Sequence, residues 1–153
     1  DSGLAEFVIE DERWTGVDGL EALCAGVIEA AASRLDPRAR SGTAAVLLTA
    51  DETMAALNAR FRGKTGPTNV LSFPAPETEG YPGDIALGYE TCDREARERG
   101  RSLAHHAAHL VVHGFLHLNG HDHDTDSAAE AMEAIEIAAL AAAGIADPYR
   151  LDE

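Results

Sequence analysis

The chain has 153 residues, 45% hydrophobic and 25% charged, the proportions of an ordinary folded protein large enough for one real core. Its formal net charge of −15 argues against a protein that coats nucleic acid non-specifically, because phosphate contact needs Lys and Arg to displace counterions. The longest apolar run, Ile137 to Ala143, is far too short to cross a bilayer, so no membrane partner is expected. The opening Asp-Ser-Gly-Leu-Ala-Glu carries no secretory pattern, and Cys24 and Cys92 lack C-x-x-C spacing; reduced, largely buried thiols in a cytoplasmic protein are expected.

In chain order, Ala5 to Asp11 reads as a strand with Phe7 and Ile9 on one face. Asp18 to Leu35 reads as an amphipathic helix, because Leu20, Leu23, Cys24, Val27 and Ile28 recur at helical spacing. Thr43 to Thr49 is a β-rich run, and Asp51 is placed to cap a helix through about Phe61, broken by Gly63 and Gly66-Pro67. Asn69 to Phe73 is a short strand stopped by Pro74 and Pro76; an acidic loop runs from Pro76 to Pro82, and Asp84 to Tyr89 is another strand. A helical pattern begins near Thr91, is punctuated at Gly100 and continues from Ser102 to about Asn119. Asp124 to Asp126 offers N-caps for a last helix, which Gly144 ends. Interspersed strands and helices, without repeats or a long linker, predict an α/β or α+β fold around one mixed sheet, in a single domain over residues 1–153.

The segment His113-Gly114-Phe115-Leu116-His117-Leu118-Asn119-Gly120-His121-Asp122-His123 concentrates the chemistry. His113 and His117, four apart on a helix, stack on one face. Gly120 is placed to end the helix in the left-handed conformation, so His123 approaches from the returning chain. Two ligands from a helix and one from beyond its end leave one coordination position open, as a catalytic Zn²⁺ requires. The spacing is that of the zinc-protease signature H-E-x-x-H-x-x-G-x-x-H, with Gly114 where the general-base Glu belongs. Asp122 has two readings: a partner that orients a ligand imidazole, or a proton acceptor near the water on the metal. His121 is either a substrate contact or a solvated turn residue. The i, i+4 stripe drifts around the helix, so His105 and His106 are expected on the surface, and His109 on the surface or just behind the ligands.

The basic residues form two groups. Arg94, Arg97, Arg99 and Arg101, interleaved with Glu95 and Glu98, read as a solvated helix face. Arg60, Arg62 and Lys64 adjoin a Gly-rich segment close to a strand, where Arg62 is placed to pair with a phosphate oxygen and stabilise developing negative charge.

The histidine segment closely resembles the signature of the YbeY-type endoribonucleases, the bacterial rRNA maturation factors. Arg62-Gly63-Lys64-Thr65-Gly66-Pro67-Thr68-Asn69-Val70-Leu71-Ser72-Phe73-Pro74 and Gly83-Asp84-Ile85 extend the resemblance in the right order, from about Asp51 to His123. Thr65-Gly66 stands where that family often has charged residues. The resemblance implies a mixed four-stranded sheet packed with helices, and one Zn²⁺ per chain held by His113, His117 and His123. It maps the family's functionally important arginine to Arg62 and places Lys64 in the RNA-contacting block. It also implies cleavage of single-stranded RNA, maturation of the 16S rRNA 3′ end and ribosome quality control. Ser72 lacks a nucleophile elbow, so it reads as structural or at most as a cleft-lining contact.

The chemistry expected is metal-assisted cleavage of an RNA phosphodiester, by water or by the RNA 2′-hydroxyl. The acidic surface favours help from a partner on the small ribosomal subunit, a ribosomal protein or a GTPase. Two rivals stand beside this reading. One is a zinc peptidase of metzincin type, which Gly114 disfavours. The other is a non-catalytic ribosome-assembly factor in which zinc is structural, which would need a fourth protein ligand.

Overall fold

The computed structural model describes residues 5–35, 43–76, 81–121 and 124–149. Runs of Ala, Val, Leu and Ile form four strands: Ala5–Ile9 (β1), Ala44–Thr49 (β2), Val70–Pro74 (β3) and Gly83–Gly88 (β4). They make one sheet in the order β1-β2-β4-β3, with β3 antiparallel to β4 and the other neighbours parallel. Five helices accompany it: Leu20–Ala32 (α1), Asp51–Arg62 (α2), Tyr89–Glu98 (α3), Leu103–Leu118 (α4) and Asp126–Ala142 (α5). The expected α+β class with a mixed four-stranded sheet is what the chain adopts.

Strand alternation divides the core. Val46, Leu48, Ile85 and Leu87 enter the main cluster with residues of α1, α4 and α5, whereas Leu71 and Ala86 join Met54 of α2 in a smaller one. Helix α2 therefore covers the sheet face opposite α4. Cys24 and Cys92 are buried and unpaired, as expected, and burial pushes the Cys24 thiol up to about 12.

Two features of the local structure depart from the sequence reading. A 3₁₀ turn, Glu12–Gly16, follows β1; its Asp11 carboxylate accepts from the Arg13 amide, and its Trp14 is buried with the indole N–H donating to Thr49 O at 2.9 Å. Asp51 is not the N-cap of α2. Ala50 holds that position, and the Asp51 carboxylate accepts instead from the Thr91 amide and hydroxyl at the start of α3. A cap forty residues away in sequence outcompeted the local one. At α5 the cap within the expected stretch is Thr125, which accepts from the Ala128 amide. Residues 77–80 of the expected acidic loop lie outside the described residues.

His106 overturns its surface assignment. It is buried, its Nε2–H donates to Glu95 Oε1 at 2.9 Å, and the same Glu95 oxygen accepts from Asn69 Nδ2, which ties the start of β3 to α3 and α4. The His106 Nδ1 has no partner, so a second proton there would be buried with nothing to accept it. Burial accordingly lowers the imidazole pKa below the usual 6.5, against the opposing pull of Glu95. With the folded pKa below the unfolded one, the unfolded chain takes up the proton first as pH falls through about 6.5, and stability drops. Glu95 is lowered too, despite its burial, because Asn69 and His106 bond to it; its share is lost only below the ordinary carboxylate range. Denaturant titrations should therefore show stability falling between pH 7 and pH 5, with a shallower slope in His106→Gln. An identical slope in that variant would refute the assignment.

Candidate metal centre

Helix α4 begins at Ser102, whose hydroxyl accepts from the His105 amide at 3.1 Å, and it packs against α1, α3, α5, β3 and β4. A helix enclosed on so many sides has almost no solvent face. That is why His106 and His109 are buried while His105 at the first turn is exposed, as expected. His109 thus takes the second of its two readings, behind the ligand positions rather than on the surface.

His113 and His117 come together as the spacing predicts, with their Nε2 atoms 3.1 Å apart. Two imidazole nitrogens bound tetrahedrally at about 2.0–2.1 Å from a zinc ion stand about 3.3 Å apart, so this donor pair fits such an ion. His113 Nδ1 donates to Glu136 Oε2 at 2.6 Å, leaving Nε2 as the lone-pair side of the ring. Glu136 is fully buried, and its other oxygen accepts from His109 Nε2 at 3.1 Å and from the Tyr149 hydroxyl. Burial alone would raise this carboxyl; the bonds from His109, His113 and Tyr149 outweigh it and bring it down to about 2. Among the described residues no group of three or more His, Cys, Asp or Glu is gathered to hold a metal; the expected third ligand His123, and Asp122, lie outside them.

The turn that should lead to His123 is present up to its edge. Gly120 has φ +89°, its amide donates to His117 O, and the His121 amide donates to Leu116 O, the paired bonds of a left-handed helix stop. His121 sits half-buried on that turn.

Gly114 has a packing reason. A Cβ there would stand 3.1 Å from both Ser72 Oγ and Ile85 Cγ2, which are paired residues of β3 and β4. The position occupied by a carboxylate in zinc proteases is here closed by the sheet. Ser72 thereby proves to lie beneath the histidine helix, in line with its structural reading.

The basic block is built separately. The α2 helix ends at Arg62, and the following loop is held by Asn58, whose Nδ2 donates to Gly66 O at 2.9 Å and whose carbonyl accepts from the Lys64 amide. Arg62 and Lys64 are exposed, and Arg60 lies over the ring of Phe61. No hydrogen bond or ion pair joins Arg62 or Lys64 to the histidines among the described residues; the two parts flank the edge strand β3 from opposite faces of the sheet. Arg94 and Arg97 pair with Glu98 and Asp93 along α3, as a solvated face should.

Sequence reading missed Glu136, Tyr149 and Asn58. Glu136 left a signal: Met132, Glu136 and Leu140 recur four apart on one stripe of α5, so a carboxylate occupies an apolar position.

The fold and this site define a class: an α+β protein whose central histidine helix, packed on a mixed sheet, presents a paired-imidazole donor set. The family model described as endoribonuclease YbeY matches residues 8–144. An endoribonuclease YbeY of Chelativorans sp. (strain BNC1) is 51% identical over 94% of this chain and 91% of its own length. That of Erythrobacter litoralis (strain HTCC2594) is 52% identical over 91% of each. The solution structure of TM1509 from Thermotoga maritima covers 97% of this chain with a TM-score of 0.57 at 22% identity, which supports the fold. The chain belongs to the YbeY endoribonuclease family.

A glutamate at position 114 should not create a protease; it should wedge α4 off the sheet. Overpacking of this kind costs about 1–3 kcal/mol. Gly114→Glu is expected to lose at least that in denaturant unfolding of the metal-free protein, and a variant as stable as the parent would show that the contact is not tight.

Proposed function

We propose that this protein is a Zn²⁺-dependent endoribonuclease of the cytoplasm that cleaves single-stranded rRNA, acting in maturation of the 16S 3′ end and in ribosome quality control. The observation that carries the reading is the converging pair of His113 and His117, with His113 fixed from behind by Glu136. The relatives' name, endoribonuclease, supplies the substrate class. His113, His117 and His123 would hold one ion per chain. A Zn²⁺ bound there with an open position would lower the pKa of a coordinated water to about 7 and would supply a Lewis acid for a phosphoryl oxygen.

The remaining work falls to side chains. Arg62 neutralises charge developing on the phosphate, and Lys64 attracts the neighbouring backbone. Asp122 accepts a proton and His121 contacts the RNA, while Ser72, packed under α4, at most lines the cleft. The −15 charge makes unaided tight RNA binding unfavourable, so delivery relies on the small ribosomal subunit, through a ribosomal or GTPase protein. The tight seat of Gly114 weighs against peptidase chemistry, because it removes the carboxylate such an enzyme uses.

Metal analysis beside cleavage of single-stranded rRNA fragments tests the reading. His117→Ala should lose both zinc and cleavage, whereas Arg62→Ala should keep zinc and lose cleavage by about a hundredfold or more. Undiminished cleavage in both variants would overturn it. A 2′,3′-cyclic phosphate on the product would exclude direct attack by water as the cleavage step.

A further inference from the structure

We infer that Glu136 is the positioning residue of this site: its carboxylate fixes His113 with the proton on Nδ1 and the lone pair on Nε2, and Tyr149 and His109 hold that carboxylate in place. The inference rests on His113 being a metal ligand and goes beyond it, since the histidine segment itself is silent about α5. An isolated buried carboxylate is costly, and one that persists is matched by donors. Glu136 is fully buried and meets three: His113 Nδ1 at 2.6 Å, His109 Nε2 at 3.1 Å and the Tyr149 hydroxyl.

The division of its two oxygens decides what the carboxylate does. Oε1 is taken by His109 Nε2 and the Tyr149 hydroxyl, which leaves Oε2 to His113 Nδ1. That bond fixes the tautomer of His113 and locks its ring toward His117. Tyr149, which also packs edge-on against the His109 ring at 5.3 Å, ties residues after the end of α5 into the same arrangement. Helix α5 thus presents one side chain that selects the tautomer of a ligand on α4.

Glu136→Gln keeps the shape and removes the charge. Zinc affinity, measured by competition with a chromophoric chelator, should fall about ten- to a hundredfold. The visible spectrum of the Co²⁺-loaded variant should also shift from that of the parent. Should Glu136→Gln not fold, Tyr149→Phe provides the reading, with affinity about three- to tenfold weaker for loss of one donor. A carboxylate with a merely structural role would lower the melting temperature of metal-free protein yet leave zinc affinity and the Co²⁺ spectrum of folded protein unchanged; that result overturns the inference while the zinc site stands. Wild-type protein that takes up no zinc would overturn the site reading and the inference with it.

Discussion

Helix α4 approaches β3 and β4 closely at Gly114, where a Cβ would stand only 3.1 Å from Ser72 Oγ and Ile85 Cγ2. This close approach sets where His113 and His117 stand, since they flank Gly114 on the same helix one turn apart. It also encloses most of α4, so that each buried polar side chain on it must find a partner inside the protein. His106 finds Glu95, while His109 and His113 share Glu136. The helix is thus apolar packing on most of its surface and a set of specified imidazoles on the rest.

Electrostatics complete the arrangement. In a chain of net charge −15, a half-buried carboxylate, Glu95, and a fully buried one, Glu136, are spent on histidines of α4. Glu95 uses its oxygen to bind Asn69 and His106 together and so seats β3. Glu136 uses both oxygens to fix rings near the candidate metal. The few exposed cations of the Arg60, Arg62 and Lys64 block stand on the far side of β3, held by Asn58 rather than by the acidic groups. An RNA strand meeting both parts would pass over the β3 edge.

Much of this was legible in the sequence because it is local. The helical spacing of His113 and His117, the stop at Gly120 and the strand-forming run before Pro74 depend on residues within a few positions of one another. The cap of α2 was misread because Asp51 is claimed by Thr91, and His106 because nothing in its own turn reveals that α3 covers it. Glu136 acts on His113 from 23 residues further along, and only the tertiary packing of α5 on α4 brings them together. Gly114 carried the clearest message and the most ambiguous one: its type showed that the protease base was gone, while its reason, the contact with Ser72 and Ile85, required the sheet. The roles expected for Asp122 and His123 fall outside the described residues.

X-ray absorption at the zinc edge of the loaded protein tests the central claim most directly. Imidazole nitrogen scattering from three histidines plus one oxygen, all at about 2.0–2.1 Å, is the expected result. Sulfur in the first shell, or scattering without the imidazole signature, would contradict a site built on His113 and His117.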